Sequence, residues 1–238
     1  MPEIQITENL VASAIEVIAA VIEEARRESR RASIVLSGGS TPKALFEALG
    51  HPSEQPRLPW DRLELFWGDE RPVPADDPDS NYGGAWRLWL SQCPIPSTHI
   101  HPWPTQYAPA EAARLYAKTL RDCFVNQDPP QMDLIFLGLG PEGHTASLFP
   151  HSPALETEAW TSAVWVPDKG SWRLTLTPRV INHARRVVFL VQGSDKSDIV
   201  AQVLKGPFRG PALPAQLITP RARPALWLLD SEAAARLG

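Results

Sequence analysis

The chain reads as an α/β protein built on a mainly parallel sheet, and three observations predict this. Short apolar runs of strand length recur along its 238 residues, hydrophobic throughout, as in strands buried on both faces. Segments with an apolar stripe of helical period separate them. Glycine-rich turns follow several of the runs, where a strand hands over to a helix. Strands alternating with helices imply a parallel sheet covered on both faces by right-handed crossovers.

Residues 10–30, with Ile15, Ile18 and Ile22 on one face, predict a long amphipathic helix. The run at 32–36 is the first buried strand, and 43–49 reads as a helix, with Pro42 suited to its first turn and Ser40 or Thr41 able to cap it. A strand at 63–67 and a helix at 82–90 follow, then a helix at 110–124 and an apolar strand at 132–137. Strands are expected at 163–166, 173–177 and 187–192, a helix at 196–204 and a last strand at 225–229. Ser147 falls in what reads as a short helix.

Composition agrees with a single enzyme domain over residues 1–238: 43% hydrophobic content argues against disorder. A net charge of −4 excludes a broad basic face for nucleic acid. An anionic ligand has to be attracted locally, by a helix N-terminus and a few Arg or Lys side chains. The 25 prolines punctuate loops such as 52–59 and 94–104 and stiffen them. Cys93 and Cys123 have no C-x-x-C or metal spacing, no leader-like segment opens the chain and no apolar run nears membrane-spanning length, so a cytoplasmic location is expected, with no membrane partner. His99 and His101, an H-x-H between prolines with no third ligand in view, read as a loop feature, and no metal is expected.

Three strand ends carry the chemistry. After the run at 132–137 comes Gly138-Leu139-Gly140-Pro141-Glu142-Gly143-His144, which puts an imidazole on a glycine-supported turn at a strand's carboxyl end. Ligands of open α/β sheets bind in the crevice outside such ends, and imidazole has the unperturbed pKa nearest neutrality, so His144 reads as a general base. Gly138, Gly140 and Gly143 match the dinucleotide spacing G-x-G-x-x-G. That reading fails because Pro141 has no N–H to offer a pyrophosphate and Glu142 would bring a carboxylate towards it. The second turn, Ser37-Gly38-Gly39-Ser40-Thr41-Pro42, gathers N–H groups and hydroxyls at a helix N-terminus. It lacks the G-x-x-x-x-G-K-[ST] form, so one isolated phosphate is the better ligand than a nucleoside triphosphate. The third, Gly68-Asp69-Glu70-Arg71 with Pro72 and Pro74, holds a guanidinium in a stiffened loop suited to a bidentate contact with phosphate or carboxylate. Of the nine tryptophans, Trp67 and Trp172 are the two placed to line a pocket.

These loops, together with Ser80-Asn81, the run from Gly143 to Pro150, Arg173-Leu174-Thr175-Leu176-Thr177 and Pro214-Ala215-Gln216-Leu217, resemble the 6-phosphogluconolactonase family in order and spacing over nearly the whole chain. The resemblance implies a Rossmann-like three-layer α/β sandwich. It also implies hydrolysis of 6-phosphoglucono-1,5-lactone to 6-phosphogluconate without a cofactor, the only partner being this sugar phosphate. His144 would take a proton from the attacking water, and Asp69 or Glu142 would orient its ring. The family commonly has aspartate where this chain has Glu142, one methylene longer. Gly38, Gly39, Ser40, Thr41 and Arg71 would hold the phosphate, and by analogy with the family's basic pattern Lys169 and Arg173 would help. Backbone N–H groups near Gly143 and the Arg71 guanidinium are both candidate oxyanion donors. No G-x-S-x-G elbow supports a serine nucleophile. The related glucosamine-6-phosphate deaminases carry Asn-Glu before the proline at which this chain has Leu148-Phe149-Pro150. A non-catalytic sugar-phosphate sensor is the remaining rival, though it would not need His144, Asp69 and Arg71 together at strand ends.

Overall fold

The computed structural model describes residues 2–53 and 58–238. The proline-rich loop expected at 52–59 therefore lies partly outside the described residues. Ten strands and six α-helices follow the order β1 (Glu3–Ile6), α1 (Leu10–Arg27), β2 (Ala32–Leu36), α2 (Ser40–Gly50), β3 (Leu63–Trp67), β4 (Asp69–Glu70), α3 (Asn81–Leu88) and β5 (Ile100–His101). The second half adds α4 (Pro109–Cys123), β6 (Leu134–Leu137), β7 (Thr161–Val166), β8 (Ser171–Leu176), α5 (Pro178–Ile181), β9 (Val187–Val191), α6 (Ser197–Lys205) and β10 (Leu226–Leu229), among the described residues.

Seven strands form one sheet in the order β1-β10-β9-β6-β2-β3-β5, every pair of it parallel, with helices on both faces. The Rossmann-like sandwich is thus the observed fold. β2, β6 and β9 are buried at every position, which explains their unbroken apolar runs. α1 buries Ala14, Ile15, Ile18, Val21 and Ile22 along one stripe, and Asn9 caps it by accepting from the Ala12 N–H at 2.9 Å. It stops at Arg27, three residues before its expected end, because Ser29 turns to φ 58°.

β7 and β8 do not join the main sheet. With β4 they form a separate antiparallel sheet, β4-β8-β7. The physical reason was available in the chain: residues 167–170 are far too few for a crossover, which takes about a dozen residues or more. They make a hairpin instead, turned by Gly170 at φ 56°. Three strands were not expected from the sequence: β1, the two-residue β4 and the two-residue β5. β1 is an exposed edge strand with no apolar run, and β5 has two residues, paired to Leu65 and Phe66. Beyond this short edge the main-chain groups of Trp67 are taken up by side chains: the Trp67 N–H donates to the Tyr116 hydroxyl at 2.9 Å and its carbonyl accepts from Trp103 Nε1 at 2.9 Å.

The strand order reverses between β2 and β6. From β2 the chain moves outward through β3 to β5, then returns to lay β6 on the other side of β2 and continues through β9 to β10. The pairing at this reversal is fixed at its base by a reciprocal lock. Asp133 Oδ2 accepts from the Ser33 N–H and hydroxyl, both at 2.9 Å, while the Asp133 N–H donates to Ser33 Oγ at 2.9 Å. Arg30 Nη1 donates to the same carboxylate oxygen at 2.5 Å.

Replacing Asp133 by alanine leaves a buried N–H, a hydroxyl and a guanidinium without their acceptor. Asp133→Ala is expected to lower the unfolding free energy by about 3 kcal/mol, read by urea denaturation. Because the lock sits at the amino-terminal ends of β2 and β6, the loops at their carboxyl ends are expected to keep their shape in the folded variant.

Candidate active site

The carboxyl ends of β3, β2, β6 and β9 lie side by side around the reversal point, and a cavity of about 310 Å³ opens there. That is the size of a small-molecule site, and its position is where open α/β sheets bind ligands. Gly38, Gly39, Ser40, Thr41, Asp69, Arg71 and His144 all line it, so seven residues expected at the site converge from three separate loops.

The loop after β2 is shaped by its glycines. Gly39 takes φ 110°, a conformation that favours glycine, and stands at the N-cap of α2 without a side-chain cap. Ser40 and Thr41 are therefore the first helical residues and not the cap expected of them. The uncapped first turn leaves its N–H groups available to an anion at the positive end of the helix. Gly38 has no room for a side chain, since an added Cβ would fall 1.8 Å from Asn81 Oδ1.

Asn81 ties this loop to the others. Its amide Nδ2 donates to the Asp69 carbonyl at 2.9 Å and to Asp69 Oδ1 at 3.3 Å. The second oxygen, Oδ2, accepts from the Ser147 hydroxyl at 2.7 Å. Ser147 itself lies in a tight turn, not the short helix expected, with Ala146 at φ 47° and a single bridge between Thr145 and Leu148. Glu70, 1% exposed, organises the loop from below. Oε1 accepts from the N–H groups of Arg71 and Asn81 and Oε2 from that of Tyr82, all at 2.8 Å, and the Ser80 hydroxyl donates to Oε2 at 3.3 Å. Burial pushes the Glu70 carboxyl above its ordinary 4.5, and Asp69 adds to this, against the lowering effect of the three N–H groups.

The His144 imidazole is wedged in place. Phe149 stacks on it at 4.5 Å and 28°, and Gly140 leaves the space the ring occupies, because a Cβ there would lie 2.0 Å from Nδ1 and Cε1. Glu142 Oε2 is 3.1 Å from Nδ1, but outside the angular range of a hydrogen bond, so Nδ1 is buried without a hydrogen-bond partner. The contact is electrostatic. Burial raises the Glu142 pKa, but its own backbone N–H, His144 and then Lys169 bring it below the ordinary value. Of the two carboxylates considered for the ring, Glu142 is the one in contact with it, while Asp69 is engaged by Asn81 and Ser147.

Glu142, Lys169 and Arg173 stand outside the cavity lining. Lys169 belongs to the hairpin turn between β7 and β8, from which its charge reaches Glu142. Arg173 is held by the Ser171 hydroxyl at 2.6 Å and the Trp172 carbonyl at 2.8 Å. Burial first, and then the like charge of Arg71, push the Arg173 pKa below its ordinary value. Arg71 donates through Nη1 to the Asp79 carbonyl at 2.6 Å, and its Nε is buried with no hydrogen-bond partner. Two guanidinium groups thus stand close together at one rim, an arrangement an anion would relieve. Neither expected tryptophan lines the cavity: Trp67 is fully buried beneath it, and Trp172 packs edge-on against Trp165 on the outer hairpin.

The model of the glucosamine-6-phosphate isomerases/6-phosphogluconolactonase family matches residues 5–227. This chain belongs to that family. It is 42% identical over 231 residues to a 6-phosphogluconolactonase of Synechocystis sp., covering 96% of this chain and 94% of that one. Among solved structures, the 6-phosphogluconolactonase from Trypanosoma cruzi superposes with a TM-score of 0.88 at 29% identity, covering 100% and 97% of the two chains. A monomeric glucosamine-6-phosphate deaminase superposes with a TM-score of 0.83 at 18% identity, covering 98% and 99%, which shows the shared fold alone.

Within this family fold, the sequence reading missed Lys196, Gln192 and Asp195, which line the cavity from the end of β9, and Glu70 and Asn81 as organisers of the loops. Lys196 had a usable signal, since it follows a buried parallel strand as the other site loops do. Asn81 and Glu70 stand within motifs that carry the family resemblance, but their role as organisers left no local signal, because their partners are set by how the loop from 70 to 82 folds back on itself.

Glu70→Gln turns one acceptor oxygen into an amide that faces N–H or O–H donors. The variant is expected to lose about 1–3 kcal/mol of stability and to bind phosphorylated ligands more weakly, because the main chain at Arg71 and Asn81 is no longer fixed. The folded chain holds the Glu70 proton more tightly than the unfolded chain does. This group's contribution to stability is therefore fully present below about 4.5 and is lost as the pH rises through the higher folded value. Chemical denaturation across that window is expected to show the stability deficit of Glu70→Gln narrowing as the pH rises.

Proposed function

We propose that this chain is a 6-phosphogluconolactonase, hydrolysing 6-phosphoglucono-1,5-lactone to 6-phosphogluconate by general-base activation of water. The observation that carries the reading is that His144 and the uncapped glycine turn at Gly38–Thr41 open into the same cavity. One end of that cavity suits a phosphate and the other suits proton transfer. In this reading the phosphate sits on the first-turn N–H groups of α2, with Arg71 and Lys196 supplying charge from the cavity wall and Arg173 adding to it from outside the lining. The lactone carbonyl is then presented to a water that gives its proton to His144, and Glu142, 3.1 Å from Nδ1, favours the imidazolium that forms.

Ser147 is a poor rival nucleophile, since its hydroxyl is 2% exposed and committed to Asp69. A deaminase reading lacks its acid: Leu148 and Phe149 precede Pro150, and the Phe149 ring covers His144 where the deaminase-like version has a carboxylate.

Incubation with 6-phosphogluconolactone and, separately, with glucosamine 6-phosphate is expected to give acid release from the first and no ammonia from the second. His144→Asn is expected to lower turnover by roughly 10²–10⁴ while the affinity for 6-phosphogluconate, measured by calorimetry, changes little. Near wild-type turnover in a folded His144→Asn protein would remove it from the mechanism. Arg71→Ala is expected to cost about 2–3 kcal/mol in kcat/KM with the phosphorylated lactone and much less with gluconolactone. Equal losses on both substrates would place Arg71 at the carbonyl end instead.

A further inference from the structure

Away from the catalytic cavity, three side chains that can each bind a metal meet at the outer edge of the main sheet. Glu64 projects from β3, His101 from β5 and Cys123 from the last position of α4. His101 Nε2 is 3.1 Å from Glu64 Oε1 and 3.8 Å from Cys123 Sγ. One donor atom from each residue lies within 4.8 Å of the other two, and all three residues are half-buried. None of the three lines the cavity that holds His144.

We propose that Glu64, His101 and Cys123 form a binding site for a thiophilic divalent cation of the zinc class, separate from the catalytic cavity. The donor set selects the metal. A thiolate, an imidazole and a carboxylate together match zinc chemistry, whereas magnesium and calcium take oxygen ligands alone. The spacing fits with little movement. Bonds of about 2.0–2.3 Å place tetrahedral ligand atoms roughly 3.3–3.6 Å apart, so the Nε2 distances are already close. The sulfur is nearly equidistant from the two ring nitrogens, 3.8 Å from Nε2 and 3.9 Å from Nδ1. A turn of the imidazole would direct the Nε2 lone pair between sulfur and carboxylate.

The surroundings favour a cation at this point. Cys123 ends a fifteen-residue helix, so the negative end of the helix dipole points here. Phe66 stacks on the His101 ring at 4.7 Å and 14°, closing one side of the cluster. Arg31 Nη1 is 3.9 Å from Glu64 Oε1 and half exposed, so it can swing into solvent when a metal arrives. A bound ion would clip the two-residue strand β5 to β3 and α4, where the sheet edge is shortest.

Cobalt(II) is the probe, because its thiolate bond gives a near-ultraviolet charge-transfer band and its tetrahedral complexes absorb strongly in the visible. The wild-type chain is expected to bind one equivalent with both features, to lose them when zinc is added, and to melt at a higher temperature in the presence of zinc. Cys123→Ser is expected to abolish the thiolate band, and His101→Gln to weaken binding by roughly tenfold or more. Cys93→Ser, which removes the other cysteine, is expected to leave the spectrum unchanged. Absence of a stoichiometric cobalt spectrum in the wild type, or an unaltered thiolate band in Cys123→Ser, would overturn the proposal. The readout is spectroscopic and thermal, so it stands apart from whether lactone hydrolysis is observed.

Discussion

The parallel pairing of β2 with β6 is the constraint on which the site depends. These strands are separated in sequence by two strands of the main sheet and several helices, yet they lie side by side, locked at the base by Ser33 and Asp133. Both strands deliver a glycine turn to the same end, one offering helix N–H groups and the other an imidazole. The distance between the proposed anion subsite and the proposed base is thereby set by the spacing of adjacent strands, about 4.8 Å, and by two short turns. A slip of one residue between β2 and β6 would turn every side chain to the opposite face and misalign both turns.

Around this axis the loops are stiffened by buried acceptors and not by a hydrophobic lid. Glu70 collects three main-chain N–H groups, and Asp69 collects the Asn81 amide and the Ser147 hydroxyl. Each carboxylate is costly to bury, and the hydrogen bonds offset that cost only while the loop keeps one shape. The result is a preorganised wall from which Arg71 projects, so ordering the loop does not draw on the binding energy of the ligand. Arg71 and Arg173 repel each other at one rim, and a dianionic group placed there would remove that repulsion. An overall charge of −4 is no obstacle when the attracting groups are concentrated in this way.

Glycine acts at this site through the space it leaves as much as through its backbone freedom. Gly140 and Gly38 each stand where a methyl group would strike a functional side chain, His144 in one case and Asn81 in the other. Gly140, the middle glycine of the run that mimics a dinucleotide fingerprint in the sequence, therefore serves to seat an imidazole. Only the packing distinguishes the two uses, since spacing alone is common to both.

The sequence by itself determined what near neighbours decide. Apolar runs marked the buried strands, helical stripes marked α1, α4 and α6, and glycine turns with His144, Arg71 and Ser40-Thr41 marked the strand ends where chemistry was expected, because period and backbone geometry act over a few residues. It left the pairing of β7 with β8 open, placed a helix at Ser147 and left β1, β4 and β5 unassigned, since an exposed edge strand and two-residue strands carry no continuous apolar run. The tertiary structure decided which distant groups meet. It put Glu142 and not Asp69 against the imidazole, brought Lys196 into the cavity, left Trp67 and Trp172 out of it, and gathered Glu64, His101 and Cys123, which lie 37 and 22 positions apart along the chain. Such meetings follow from strand order and helix docking, which are properties of the whole packed core and leave no trace in local spacing.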